Sequence, residues 1–142
     1  MKVTNHSDFI MEKLMAVILP DYKFYIFLRS DLDSMNTGKA AAQVSHAASD
    51  FAAKCMHTNE YKDWCEDRTF GTAIVKDGGN LKNLPRLDEF YILGSGMIHD
   101  PTYPIKDGKV THLIPLDTCY WLFTNTAWPG VYEEMYKYKL YD

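Results

Sequence analysis

The sequence predicts an α/β protein in which helices cover both faces of one small sheet. Short runs rich in β-branched and aromatic residues alternate with segments of helical periodicity, the longest of which is rich in alanine. Such alternation is typical of a three-layer α/β/α domain, and a chain of 142 residues favours a single domain. We expect a mixed, mostly parallel sheet of four strands.

The first half of the chain alternates helix and strand. In order, the patterns predict a helix at 8–18, a strand at 23–28, a helix at about 37–56, a short helical piece at 60–67 and a strand at 70–76. Ser7 or Asp8 can cap the first helix and Pro20 closes it. Ile74 and Val75 give the second strand its β-branched character.

The second half contains one ambiguous segment. The predicted elements are a turn at 77–80, an ambiguous segment at 81–93, a strand-like piece at 103–106, a final strand at 118–124 and a helix at 131–140. Leucines at helical spacing suit a helix at 81–93, provided that Pro85 lies in its first turn. The Gly-Ser-Gly stretch at 94–96 then ends that helix.

The composition limits the classes of partner and cofactor that the protein is expected to bind. The formal net charge of −4 predicts no broad basic surface for nucleic acid, although a local basic patch stays open. Three cysteines without paired spacing favour reduced thiols in a cytoplasmic protein. The chain has no apolar run of about 18 residues, so we expect no membrane span. The five histidines are scattered, and we expect no metal and no cofactor.

Residues 29–46 carry the most specific pattern. A polar loop follows the first strand, and a Gly-Lys pair opens the alanine-rich helix. At about 100° per residue, Lys39, Gln43 and His46 fall in one narrow stripe. The stripe roughly opposite to it contains Ala41, Val44, Ala48 and Phe51. We expect the helix to pack through that apolar stripe and to present the polar stripe near its N-terminal end, where backbone donors favour an anion.

This stretch closely resembles the type 2 peptidyl-tRNA hydrolase family. The matching residues are Arg29, Asp31, Leu32, Met35, Gly38, Lys39, Ala41, Ala42, Gln43, His46 and Ala47. A second family signature begins with an aspartate, and two positions compete for it. Asp77 follows the second strand directly, which is too early for the family order. Asp107 comes later and is followed by Thr111 and the last strand, so the order favours Asp107.

The resemblance covers most of the chain and implies an enzyme. It implies a type 2-like domain at 22–126, an N-terminal helical extension at 1–21 and a C-terminal helix at 127–142 packed on the same domain. The implied activity is metal-free attack of water on the ester between a peptide, or an N-blocked amino acid, and the tRNA 3′ ribose. The implied partner is peptidyl-tRNA or a related acyl-tRNA, and a homodimer is left open.

The same resemblance implies roles for eight residues. The catalytic set is Lys39, Asp107, Thr111 and His46, and the substrate-binding set is Gln43, Arg29, Thr118 and Lys109. An activated ester needs a positioned water, a base and a cation near the developing oxyanion. Lys39 can supply that cation, and Asp107 can orient or deprotonate the water. Gln43 and His46 can bind substrate or fix Asp107, and the two threonines can hold hydroxyl groups.

Each role has a structural alternative. Lys39 can be a solvated residue, Asp107 a turn residue, and Arg29 a partner of Asp31 or Asp33. For the whole protein, the alternatives are a catalytically silent protein-binding or regulatory module and an esterase for another small ester. If the basic side chains converge on one cleft, a nucleic-acid substrate is favoured. The basic residues in question are Lys23, Arg29, Lys39, Lys106 and Lys109. If acidic side chains line that cleft instead, the catalytically silent binding module is favoured. The acidic residues in question are Asp31, Asp33 and Asp117.

Overall fold

In a computed structural model that describes residues 6–67 and 70–142, helices pack on both faces of a four-stranded sheet. The helices are α1 (His6–Ile18), α2 (Thr37–Cys55), α3 (Asn59–Glu66) and α4 (Val131–Tyr136). The strands are β1 (Tyr22–Leu28), β2 (Ala73–Asp77), β3 (Gly94–Asp107) and β4 (Val110–Asn125). None of the helices in these ranges has the length and hydropathy that a membrane span requires.

The sheet has the strand order β2-β1-β4-β3. β1 pairs with β2 in parallel, whereas the β1–β4 and β3–β4 pairs are antiparallel. The prediction of an α/β fold with a mixed four-stranded sheet is confirmed. Its pairings are mainly antiparallel rather than mainly parallel, because β3 and β4 follow each other directly as a hairpin and short connections join only antiparallel strands.

The central strand β1 is buried on both sides and divides the core in two. Phe24, Ile26 and Leu28 face α2 and α3, where they pack with Phe51 and Trp121. The alternate residues face α4; this second cluster contains Tyr25, Phe27, Leu122, Val131 and Met135. Side chains of a strand alternate between faces, so a strand buried on both sides is apolar throughout. The predicted three layers follow from these two clusters.

The helix considered for residues 81–93 is absent from the structure. A single 3₁₀ turn, Glu89–Tyr91, is the only helical piece there. Leu84, Leu87 and Ile92 instead pack against the second core cluster from an irregular chain. Gly94 and Gly96 begin β3 rather than ending a helix. A Cβ at Gly94 would lie 2.6 Å from Cys55 Sγ, so glycine lets α2 cross this strand closely.

The last helix is shorter than predicted. α4 ends at Tyr136, and Leu140 forms an antiparallel bridge with Lys76. Asp77 N donates to Lys139 O over 2.8 Å, and Tyr141 N donates to Val75 O over 3.0 Å. The chain end therefore pairs with the outer edge of β2, because an unpaired strand edge leaves backbone donors and acceptors open.

Asp77, one of the two aspartates that compete for the family signature, ties three segments together. Its Oδ1 accepts hydrogen bonds from Ser30 Oγ and from Gly79 N, the latter over 2.8 Å, and Lys139 Nζ lies 3.6 Å from Oδ2. The hydrogen bond from Ser30 is the main cause that holds the pKa of Asp77 below its ordinary value. These contacts give Asp77 a structural role.

Asp77→Asn is expected to lower the free energy of unfolding by about 1–2 kcal/mol at pH 7. Because the folded-state pKa is depressed, the stabilisation is present above the unfolded pKa of about 3.9 and is lost as pH falls through the folded value. Urea unfolding of both proteins between pH 7 and pH 3 should therefore show the difference shrinking with acidity. A difference that stays constant would contradict a role for the carboxylate charge.

Candidate active site

The candidate site lies where β1 ends and α2 begins. Arg29 N, just after β1, donates to Thr118 O of β4 over 3.0 Å. On the next strand His99 of β3 lies opposite Asp117 of β4, so both strands pass the end of β1 at this edge of the sheet. Beyond it β3 and β4 continue as a hairpin arm, residues 100–117, that projects past the other strands.

The start of α2 is fixed by its own sequence. Asn36 is the N-cap, and its Oδ1 accepts a hydrogen bond of 2.9 Å from Lys39 N. Lys39, Gln43 and His46 share one stripe of the helix as predicted, but the stripe is not exposed throughout. Gln43 is buried and begins the packed face of the helix, which continues through Ala47, Phe51 and Cys55. Ala41 and Ala48 are exposed, so the prediction that they belong to the packed face is wrong.

A buried glutamine links a threonine to a carboxylate. Gln43 Nε2 donates to Asp100 Oδ2 over 2.8 Å, and Gln43 Oε1 accepts from Thr118 Oγ1 over 2.6 Å. Asp100 Oδ1 also accepts from Thr102 N over 2.9 Å. Both oxygens of the Asp100 carboxylate are therefore held in a defined orientation, and the amide orientation of Gln43 follows from its two partners.

An irregularity in β3 sets the direction of the Asp100 side chain. The pairing of β3 with β4 shifts register between Ile98 and His99 and again between Asp100 and Tyr103. Bulges of this kind bend a strand and re-aim a side chain, and they are common beside active sites. Here the two shifts flank Asp100, whose carboxylate reaches α2.

Lys39 lies beside the base of the hairpin arm. Its Nζ donates to Pro104 O over 2.9 Å and lies 5.2 Å from the centre of the Tyr103 ring. Tyr103 is fully buried, and its hydroxyl accepts from Ser34 Oγ over 3.2 Å. Ser34, in the loop after β1, thus fixes the ring of Tyr103 beside Lys39. An ammonium carries three N–H donors, of which Pro104 takes one.

A cavity of about 400 Å³ lies beside Asp100. Its lining is His46, Asp50, Lys54, Met97, Ile98, His99, Asp100 and Pro101. His99 Nδ1 lies 3.0 Å from Asp117 Oδ1, and Asp50 Oδ2 accepts from Trp121 Nε1 over 2.7 Å. Lys54 Nζ lies 3.1 Å from the same Asp50 oxygen. The cavity lining therefore combines two carboxylates with two imidazoles and an ammonium, which is a suitable lining for acid–base chemistry on a polar substrate.

The expected approach of Asp107 to Lys39 and His46 is wrong. Asp107 lies at the tip of the hairpin arm, where its side chain is 83% exposed and 3.7 Å from His112 Nε2. The tip is three residues beyond Pro104, or about 10 Å along an extended strand. Thr111 and Lys109 share that tip, so three of the eight predicted residues lie apart from the others.

Asp100 is the residue that the sequence interpretation missed. Asp77 and Asp107, the two aspartates that compete for the family signature, are each followed by glycine, whereas Asp100 is followed by proline. An Asp-Pro pair that interrupts a β-rich segment marks a change of chain direction. That interruption is the one local sign of Asp100, and it does not identify the residue that the carboxylate contacts.

The family model for peptidyl-tRNA hydrolase PTH2 matches residues 22–111. The chain belongs to the PTH2 family. The match begins at β1 and ends within the hairpin arm, so it includes Lys39, Gln43, His46 and Asp100, whereas Thr118 follows it. The predicted membership is confirmed. A comparison with curated proteins found no match.

The cations of this PTH2 member do not converge on one cleft. Lys23 lies at the opposite end of β1 and pairs with Asp21 over 2.5 Å. Arg29 contacts Asp31 through Nε and Nη2 over 3.0 and 2.8 Å. This contact lowers the pKa of Asp31 and raises the pKa of Arg29. Arg29 Nη1 also donates to Asp117 O, so the guanidinium joins β1 to the base of the hairpin arm.

The described residues contain neither a reactive thiol at Cys119 nor a cluster of metal ligands. Cys119 lies beside Gln43 and is fully buried, and burial raises its pKa to about 12. Its thiol therefore stays protonated at neutral pH and is a poor nucleophile. Within 6–67 and 70–142, no cluster of His, Cys, Asp and Glu side chains is arranged to hold a metal ion.

Proposed function

We propose that this PTH2 member hydrolyses the ester between a peptide, or an N-blocked amino acid, and the tRNA 3′ ribose by direct attack of water. The observation that carries the proposal is the Asp100 carboxylate, which Gln43 orients on the face of α2 that also bears Lys39 and His46. Family membership supports this reaction class, and the oriented carboxylate supports a specific base for it.

Asp100 acts as the general base. A water beside it attacks the ester carbonyl carbon and passes a proton to the carboxylate. The tetrahedral intermediate then collapses as the bond to the 3′ oxygen breaks, and the proton moves to that oxygen. The products are the free peptide acid and tRNA with a 3′ hydroxyl. A positioned base typically contributes about 10²–10⁴-fold to the rate of such a step.

Lys39 supplies the positive charge. Two of its N–H donors stay available beside the Pro104 carbonyl, and they can bind the oxyanion or the terminal phosphate of the tRNA. His46, in the lining of the cavity beside Asp100, contacts the substrate. Gln43 and Thr118 act through Asp100 and are positioning residues. Lys109 and Thr111, at the hairpin tip, are proposed to contact tRNA away from the reacting ester, and Arg29 holds the base of the arm.

Hydrolysis of a purified N-blocked aminoacyl-tRNA tests this proposal. The assay needs low salt, because binding through phosphates weakens steeply as salt rises. Lys39→Ala is expected to lower kcat/KM roughly 10²-fold, the typical effect of removing one group that stabilises an oxyanion. Lys62→Ala, which removes an exposed lysine on α3, is the matched control and should leave kcat/KM unchanged.

Two results would contradict the proposal in different ways. Unchanged turnover of Lys39→Ala would remove Lys39 from the mechanism. No turnover by wild-type protein with a normal circular dichroism spectrum would favour a catalytically silent PTH2 protein that binds another protein. The ion pair of Arg29 with Asp31 favours that second candidate, because it leaves one cation fewer to bind tRNA phosphates.

A further inference from the structure

A groove on the far side of the molecule separates α1 from the chain that leads into α4. Its volume is about 380 Å³, and its apolar lining includes Met11, Met15, Leu19, Trp128 and Tyr132. It shares no lining residue with the cavity beside Asp100. Rings on one side and a helix on the other give it the size and composition of a site for a large side chain.

The outer surface of α1 continues this apolar lining. Ala16 anchors the helix, since it is buried and its carbonyl accepts 3.0 Å from Asn125 Nδ2. The outer stripe of α1 consists of Ile10, Met11, Leu14, Val17 and Ile18, each 53–75% exposed. A helix on a protein surface normally shows polar residues there. A contiguous exposed apolar surface of this kind often marks a binding surface.

Glu12, which lines the groove, has a buried carboxylate oxygen without a hydrogen-bond partner. Among the described residues, Glu12 Oε1 is the buried side-chain polar atom without a hydrogen bond. Glu12 lines the groove next to the apolar side chains, and Glu133 lines it from the other side. A buried oxygen without a donor is unfavourable, so a cationic donor placed there would recover a charge-assisted hydrogen bond. The aromatic rings of Trp128 and Tyr132 can contact the same cation.

We propose that this groove binds a basic amphipathic segment of a protein partner. The apolar face of that segment covers the outer stripe of α1, and one arginine or lysine side chain enters the groove beside Glu12. The combination of the apolar outer stripe of α1 with two acidic side chains, Glu12 and Glu133, in the groove lining carries this inference. It concerns binding alone and does not depend on the proposed hydrolysis.

Charge favours this occupant over two others. α1 contains Asp8 and Glu12 against one cation, Lys13, whose Nζ lies 5.1 Å from the centre of the Phe90 ring. A second copy of α1 would bring acidic side chains to an acidic groove. An anionic membrane would meet the same negative charge, in a chain whose net charge is −4. A basic segment instead complements the groove, and its charge also sets the specificity of pairing.

A peptide-display selection tests which kind of peptide binds in the groove. A library of amphipathic helical peptides of about 16 residues would carry a fixed apolar face and randomised flanking positions, because isolated helices shorter than about 12–15 residues are marginally stable in water. Full-length protein and its Glu12→Gln variant serve as baits. The wild-type bait is expected to enrich arginine or lysine beside the apolar face, and the Glu12→Gln bait is not. Affinities of enriched peptides follow from fluorescence, because Trp128 lines the groove whereas Trp64 and Trp121 are buried.

Glu12→Gln is expected to weaken the enriched peptides about tenfold, as expected for loss of one charge-assisted hydrogen bond. Leu14→Ser, in the outer stripe, should also weaken them, whereas Leu113→Ser on the hairpin arm is the matched control and should not. Circular dichroism confirms that each variant is folded.

The proposal would be overturned if the selection enriched neutral or acidic peptides, or no peptide at all. It would also be overturned if Glu12→Gln bound the enriched peptides as tightly as the wild-type protein does. A wild-type dimer that Leu14→Ser dissociates, or binding to phosphatidylserine vesicles in place of peptide, would overturn it as well.

Discussion

Asp100→Asn should reduce kcat/KM for hydrolysis of an N-blocked aminoacyl-tRNA by about 10²–10⁴-fold. The substitution replaces a proton acceptor with an amide of nearly the same shape. Thr102 N can still donate to the remaining carbonyl oxygen, and Asp100 is only partly buried, so the fold should persist. The measurement is initial-rate kinetics with a thermal unfolding curve for the same preparation. A large loss of activity with an unchanged midpoint would identify a loss of chemistry.

Asp107→Asn is the matched control for this prediction. It makes the same change at the hairpin tip, where the side chain is 83% exposed, and is expected to alter kcat/KM less than about threefold, within the range of small surface effects. The reverse order, with Asp107→Asn inactive and Asp100→Asn active, would restore the order-based assignment and contradict the one based on geometry. Equal losses would show that the hairpin arm and its base act as one unit.

Phe51→Ala should lower the free energy of unfolding by about 3–5 kcal/mol, the range expected when a fully buried aromatic side chain is truncated. Phe51 lies in the middle of the first core cluster. Its ring stacks on Phe24 at 4.1 Å and lies 5.0 Å from Trp64 and 4.8 Å from Phe123. Truncation removes all these ring contacts and leaves a cavity that the stiff surrounding rings cannot fill. Chemical denaturation monitored by circular dichroism measures the loss.

Phe70→Ala provides the comparison at a ring that is 79% exposed. Because little of that ring is buried, the same truncation should change the free energy of unfolding by less than about 0.5 kcal/mol. If Phe51→Ala cost as little as Phe70→Ala, the aromatic cluster would not be a rigid part of the core. α2 carries Gln43 on the same packed face as Phe51, so a destabilised cluster should also reduce activity.

The elements with strong local patterns were predictable. Asn36 caps α2 through a hydrogen bond to a residue three positions later, and the helical period then fixes which residues share a face. β1 was equally clear because a strand buried on both faces is apolar throughout. For α2, the predicted positions of side chains around the helix are correct, but the predicted burial is not. Gln43 is buried because its side chain accepts a hydrogen bond from Thr118 of β4.

The hairpin arm was not predictable because nothing local sets its length. β3 and β4 run for 14 and 16 residues, and their pairing depends on contacts between positions far apart in the sequence. The Asp-Gly pair at 107–108 was correctly identified as a turn, but a turn does not reveal whether it lies beside the sheet or at the tip of a long arm. Asp107 was therefore assigned to a site that it does not reach.

By itself, the sequence determined the fold class, the family, the start of α2 and the polar stripe of Lys39, Gln43 and His46, because each depends on residues close together in the chain. Only the tertiary structure decided which carboxylate meets that stripe. Two register shifts between β3 and β4 turn Asp100 toward Gln43 across a separation of 57 residues. Strand register is a property of two paired segments together, so neither segment encodes it alone.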